Sequence, residues 1–336
     1  NLWVRYGTTA PPALRAGLGL VPTEAQGRGF VVQVAPLGDV DGDGFVDVGA
    51  LASWTLNMEP VVRLLWLRGS PTGLRAPEMV PRSDEGRTVP RLVPVGDVDH
   101  DGYADVVLTR VAGMPDANTL FSGGPRGLTR SDRTLGTAVL AREGAADFDG
   151  DGYTDLLGDD GTGRWFFASG RATGLPVWQT TPLVMRTGAR VAVMGDGNAD
   201  GRSDVVLWYP VDGFHGYGSE VQVNLAVAAG ATPTTVQTGA LERSILGYAR
   251  DGDLDGDGFD DFSFFATSSF GSNYFQTLWG AGSMVTVPID AARGAVLGGP
   301  GDCDGDGVHD VVRRATPAGV SVAFGASSDR AATRVE

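Results

Sequence analysis

The chain of 336 residues contains no lysine; all 26 of its basic residues are arginine. It has one cysteine, Cys303, and three histidines, His100, His215 and His309. A single cysteine excludes an intrachain disulfide framework and any cysteine-built zinc site. Three histidines leave little material for imidazole chemistry. No run of about 18 apolar residues occurs, which excludes a membrane-spanning helix. Basic charge is scarce beside 41 acidic residues, and the formal net charge is −15. A field of that sign repels phosphate, so nucleic acid is excluded as the expected partner. Asn1 opens the chain without a charged-then-apolar leader, so any signal peptide lies outside it. The missing lysine is read as the mark of a GC-rich, bacterial-type genome rather than of a mechanism.

Glycine is abundant, with 51 residues, roughly twice ordinary usage. Hydrophobic content is 42%, enough for a large core in one all-β domain or in two domains. The acid is concentrated in six copies of D-x-D-x-D-G-x-x-D. Their pattern residues are Asp39, Asp41, Asp43 and Asp47; Asp97, Asp99, Asp101 and Asp105; Asp147, Asp149, Asp151 and Asp155. The later three are Asp196, Asn198, Asp200 and Asp204; Asp253, Asp255, Asp257 and Asp261; Asp302, Asp304, Asp306 and Asp310. Successive copies start 58, 50, 49, 57 and 49 residues apart, so the chain is an internal repeat. Without the 23 aspartates of these loops, 18 acidic residues face 26 basic ones. The negative charge belongs to the loops.

Four carboxylates within nine residues repel one another unless a cation lies among them. An all-oxygen donor set selects a hard cation, and calcium accepts six to eight oxygens in a flexible shell. Positions 1, 3, 5 and 9 are therefore read as side-chain ligands. Position 7 is expected to give its backbone carbonyl, from Phe45, Tyr103, Tyr153, Arg202, Phe259 and Val308. The glycine at position 6 permits the sharp turn. His100, at position 4 where the other copies have glycine or alanine, is read as a turn residue rather than a ligand. About six Ca²⁺ per chain are expected.

An EF-hand needs a bidentate glutamate at position 12. That position holds Ala50, Leu108, Gly158, Leu207, Phe264 and Arg313, none acidic. The flanks are short and strand-like, as in Phe30 to Val34 before the first loop and Asp105 to Thr109 after the second. Each loop is thus predicted to join two strands of a hairpin. A third strand ending in glycine follows each copy, as in Arg63 to Gly69 and Trp165 to Gly170, and a weaker fourth leads into the next. Four strands per roughly 50 residues, repeated, predict an all-β chain of four-stranded antiparallel blades, a β-propeller. No Trp-Asp dipeptide occurs, so the WD-repeat signature is absent.

The stretch Gly38 to Ala50, G-D-V-D-G-D-G-F-V-D-V-G-A, closely resembles the FG-GAP repeats of integrin α-subunit propellers and their bacterial relatives. The resemblance extends over nearly the whole chain. It implies that the loop aspartates bind calcium. Ala146, where the family usually has glycine, and Asn198 are departures. Residues 1–29 read as the outer half of a blade. Repeats are expected around 30–87, 88–137, 138–187, 188–244, 245–293 and 294–336. Six repeats and a half imply seven blades, as in integrin propellers, within a longer natural protein; six blades with an appended half is the alternative.

The resemblance implies a secreted, extracellular, cell-surface or periplasmic module for binding and adhesion, with an unknown protein or glycan ligand. A carbohydrate-binding lectin is the alternative, and a polysaccharide-active enzyme the less favoured third reading. The chain is not expected to be an enzyme: two of its three histidines lie in calcium loops, and Cys303 lies in another position of the sixth. Strand alternation places the loops between second and third strands on the face opposite the calcium loops. Trp54, Phe214, His215, Tyr217, Phe270 and Tyr274 are candidate ligand-face residues there. Trp3, Trp66, Trp165, Trp178, Trp208 and Trp279 are assigned to the core.

Overall fold

In a computed structural model, the described residues are 26–56, 59–71, 73–81, 90–110, 118–131, 133, 135–136, 138–179, 183, 185, 189–210, 219–225, 234–241, 243–254, 256–268, 273–280, 285–287, 296–301, 310–315, 319–324 and 334–335. They form strands and turns, with no helix among them. The strands make six sheets of four, antiparallel throughout and ordered as in the chain. The first contains β1 (Gln26–Gly38), β2 (Asp47–Leu56), β3 (Glu59–Leu67) and β4 (Glu78–Met79). The second contains β5 (Arg91–Gly96), β6 (Asp105–Thr109), β7 (Asn118–Ser122) and β8 (Thr129–Arg130). The third contains β9 (Val139–Ala146), β10 (Asp155–Asp159), β11 (Trp165–Ser169) and β12 (Val177–Trp178).

The fourth sheet contains β13 (Arg190–Gly195), β14 (Asp204–Pro210), β15 (Ser219–Leu225) and β16 (Thr234–Leu241). The fifth contains β17 (Arg243–Gly252), β18 (Asp261–Ser268), β19 (Asn273–Trp279) and β20 (Val285–Val287). The sixth contains β21 (Val296–Gly301), β22 (Asp310–Ala315), β23 (Gly319–Phe324) and β24 (Arg334–Val335). Four antiparallel strands in sequence order are the pattern of a propeller blade. Contacts divide the chain into two compact units, the first carrying sheets one to three and the second sheets four to six.

Inside the first unit the sheets pack face to face. Leu51, Leu64 and Trp66 of the first sheet share a core with Leu92, Val106, Leu108 and Phe121 of the second. The other face of the second sheet, through Val93, Val107 and Leu120, packs on Leu140, Leu156 and Ala168 of the third. This explains why β6, Asp-Val-Val-Leu-Thr, is buried at every residue. A strand covered on both faces reads as a continuous apolar run rather than an alternation. First strands lie side by side, β1 by β5 and β5 by β9. The Gln33 side chain joins two of them: its Nε2 donates to the Leu92 carbonyl at 2.7 Å and its Oε1 accepts from the Leu92 N–H at 3.0 Å. Arg91 reaches the Leu140 carbonyl in the same way. In the second unit β13 lies by β17 and β17 by β21, and Tyr248 of β17 packs against both Trp208 and Phe262.

One ligand-face assignment is corrected. Trp54 is not on a loop: it lies in β2 opposite Val61, is 5% exposed, and packs with Ala50, Ala52, Leu65 and Leu67. β2 runs on to Leu56, which pairs with Glu59 of β3, so no long loop follows Trp54. Tyr274 lies on β19, paired with Ala266, because the hairpin strands extend further than the sequence implied. Phe214, His215, Tyr217 and Phe270 fall outside the described residues. Trp66, Trp165 and Trp208 are buried, and Trp178 packs against the core from a half-buried position. Trp3 falls outside the described residues, and Trp279 lies on β19.

Candidate metal loops

Each motif copy spans the eight residues between the first and second strands of its sheet, and its ninth residue opens the second strand. Five loops are described; Asp255 within the fifth lies outside the described residues, as does 302–309, which carries Asp302, Asp304, Asp306 and Val308. Asp310 opens β22.

The backbone bends at position 6, where Gly44, Gly102, Gly152, Gly201 and Gly258 have φ between 84° and 92°. Position 4 is left-handed as well. Gly42, Gly150 and Gly256 accept that freely, whereas His100 (φ 60°) and Ala199 (φ 55°) adopt it with a side chain. His100 is thus a turn residue, with its ring edge against Tyr153 at a centroid distance of 4.6 Å.

The position-1 carboxylate caps this bend. Asp39 accepts from the N–H groups of Gly42, Asp43 and Gly44 at 2.8, 3.1 and 2.8 Å. Asp253 does the same with Gly256, Asp257 and Gly258. Asp97, Asp147 and Asp196 accept from the N–H groups at positions 5 and 6. The position-5 carboxylate accepts from the N–H at position 7, as Asp43 does from Phe45 and Asp101 from Tyr103, both at 3.0 Å. The same bond joins Asp151 to Tyr153, Asp200 to Arg202 and Asp257 to Phe259. In the fourth loop Asn198 accepts from the Asp200 N–H and donates to its carboxylate.

Position 9 does something the motif alone does not reveal. Asp47, Asp105, Asp155, Asp204 and Asp261 are fully buried. In four of them one oxygen accepts from the N–H at position 2: Val40, Val98, Gly197 and Leu254. In Asp47, Asp105, Asp155 and Asp261 the Oδ1 atom accepts from a glycine N–H just past the third strand: Gly69, Gly123, Gly170 and Gly280, at 2.6–2.9 Å. Trp66 Nε1 adds a third donor to Asp47 at 2.9 Å. This aspartate pins three chain segments together. Position 2 is the apolar anchor beside it, with Val40, Val98 and Phe148 fully buried. The readable signal is an apolar residue between the first two aspartates of most copies.

Adjacent loops are joined. The Asp39 carbonyl accepts from the Ala104 N–H and the Val40 carbonyl from Gly124, both at 2.9 Å. The Asp196 carbonyl accepts from the Asp260 N–H at 3.0 Å.

The remaining oxygens converge. In each of three groups, Asp39, Asp41 and Asp43; Asp97, Asp99 and Asp101; and Asp147, Asp149 and Asp155, carboxylate oxygens lie within 4.8 Å of one another. A carboxylate has about four lone-pair sites, so the backbone bonds above leave acceptors unused. Asp41 Oδ1 and Asp99 Oδ1 are buried without a hydrogen-bond partner among the described residues. Their Oδ2 atoms are held by arginines that lie outside the motif: Arg68 Nη1 on Asp41 at 3.1 Å and Arg133 Nη1 on Asp99 at 2.7 Å. Burial pushes the Asp41 carboxyl above its ordinary range; Asp47 and Asp43 add to this, and Arg68 opposes it. Burial also raises Asp101, and it pushes Asp105 up to about 7 against its bonds from Gly123 and Val98. Unused oxygens, a hard donor set and uncompensated charge suit a divalent cation such as calcium.

No curated protein matches the chain. Among solved structures it is similar to AofleA from Arthrobotrys oligospora, at 11% identity over 92% of this chain and 90% of that one, with a TM-score of 0.47. The FG-GAP-like repeat family model matches residues 38–108, which include the first two loops and β2 to β5. From Gly38 to Leu108, the chain carries FG-GAP-like repeat sequence.

Proposed function

We propose that this chain is a calcium-stabilised, seven-bladed propeller module that binds a protein or glycan ligand outside the cell, at its surface or in the periplasm. The observation that carries the calcium reading is the convergence of position 1, 3 and 5 carboxylates, with a buried, unpartnered oxygen on Asp41 and on Asp99. Aspartates at positions 1, 3, 5 and 9, with Asn198 in the fourth loop and the position-7 carbonyls, would hold the ions. Calcium bound there neutralises the loop and turns binding energy into folding energy. Extracellular calcium modules work at about 10⁻⁴ to 10⁻³ M, so such sites fill outside the cytosol. The reading is of a binder, since the loop carboxylates are engaged in building hairpins and no nucleophile–base pair stands out in the sequence.

Melting the protein in calcium and in chelator tests this. We expect the melting temperature to fall on chelation and metal analysis to find about six Ca²⁺ per chain. An unchanged melting temperature, or two ions or fewer, overturns the calcium reading. A binding screen in calcium against glycans and surface proteins tests the ligand class. Binding to glycans alone favours the lectin form.

A further inference from the structure

We infer that Arg68 and Arg133 are positioning residues for the cation sites of the first two loops. The inference rests on the calcium reading above. In both loops the position-3 carboxylate is divided in the same way. A guanidinium holds Oδ2, and Oδ1 is left buried and unpartnered. The Asp41 side chain is only 5% exposed, so the free oxygen has no route to bulk water as an alternative partner.

The two arginines come from different places. Arg68 directly follows β3, whereas Arg133 lies past β8, at the end of its sheet. Arg68 is itself held, with its guanidinium 4.2 Å from the centroid of the Trp66 ring and its Nε 3.3 Å from Glu78. Two unrelated chain positions thus deliver the same atom to the same oxygen of the same motif position. A guanidinium is planar and presents its N–H groups in a fixed fork, so it sets the rotation of the carboxylate as well as its charge. Fixing Oδ2 also fixes where Oδ1 lies, in a loop whose three carboxylates converge within 4.8 Å. Groups that orient metal ligands in this way typically carry about 10- to 100-fold of metal affinity.

The rival role for these arginines is a tethered cation that competes with the metal. The two roles predict opposite signs. The test is equilibrium dialysis of the full chain against Ca²⁺, for wild type, Arg68→Gln, Arg133→Gln, the double variant and Arg68→Lys. At the lowest calcium that saturates wild type, each glutamine variant is expected to hold one ion fewer and the double variant two fewer. About 10- to 100-fold more calcium restores them. Arg68→Lys, which keeps charge without the fork, is expected to fall between. Unchanged or tighter binding in the glutamine variants overturns the inference. Arg133 is half exposed, so its variant separates affinity from folding: its melting temperature in chelator should match wild type. If wild type binds no calcium, the calcium reading fails; if wild type binds and the variants match it, only this inference fails.

Discussion

Within one loop, neighbouring aspartates hold different jobs. Asp47 is fully buried and accepts from Val40, Gly69 and Trp66. Asp47→Ala would strand three buried donors, each costing about 1–3 kcal/mol. We expect a loss of several kcal/mol in urea unfolding, and we expect it in chelator as well as in calcium. Asp43 is exposed and accepts from one N–H. Asp43→Asn should change stability in calcium far more than in chelator. Equal effects of the two substitutions in chelator would remove the distinction. Ala199 sits at φ 55° where the first, third and fifth loops have glycine, and it lacks the polar side chain that eases His100 into the same conformation. A left-handed residue with a side chain costs about 1–2 kcal/mol, offset by the greater entropy that glycine loses on folding. Ala199→Gly is expected to raise the urea midpoint by the equivalent of about 0.5–1 kcal/mol. His100→Gly removes the same strain but also the contact with Tyr153, so its gain should be smaller.

At the scale of the element, the hairpin and its loop were legible because the glycine at position 6 and the strand-like flanks are local signals. The third strand was legible too, but the reason for the glycine after it was not. Gly123 needs no side chain because a Cβ there would lie 2.5 Å from the Ala104 carbonyl oxygen and 2.8 Å from the Val40 carbonyl oxygen. Its N–H must also reach Asp105. Gly123→Ala should therefore push the third strand away from the loop and cost about 1–3 kcal/mol, measured by urea unfolding. The same crowding is present at Gly69, Gly170 and Gly280. Trp54 was misread because an aromatic residue near a turn has the same appearance in sequence whether its strand ends before it or after it. Only pairing with Val61 settles the matter. Arg68 and Arg133 were illegible for another reason: each meets its aspartate across 27 and 34 residues of chain, outside any local pattern.

Across the whole molecule, the repeat spacing marked the four-stranded sheets in their order along the chain, one for each motif copy. The charge reads differently at this scale. The net charge of −15 would fall to −3 with six Ca²⁺ bound, and all of the excess acid lies in the loops that would hold them. Metal-free protein should therefore gain stability as salt screens its carboxylates, with a Debye length near 8 Å at physiological ionic strength. The calcium form should be far less sensitive. Melting temperatures across a sodium chloride series, with and without chelator, check this. Parallel salt dependences in the two states would contradict it.

The loop-to-loop hydrogen bonds carry a consequence for how such a chain can grow. Asp39 receives Ala104, and Asp196 receives Asp260, through backbone atoms at the same two motif positions. The donor belongs to the following repeat and the acceptor to the preceding one, so the first copy meets the second, and the fourth meets the fifth, head to tail. Gene duplication of one loop with its sheet therefore supplies a copy that carries both halves of this joint, a first-position carbonyl and an eighth-position N–H. A change of even one residue in the eight-residue loop would shift its eighth position relative to its first and break that joint. The constancy of loop length in a chain whose repeats otherwise vary from 49 to 58 residues is what such modular copying leaves behind.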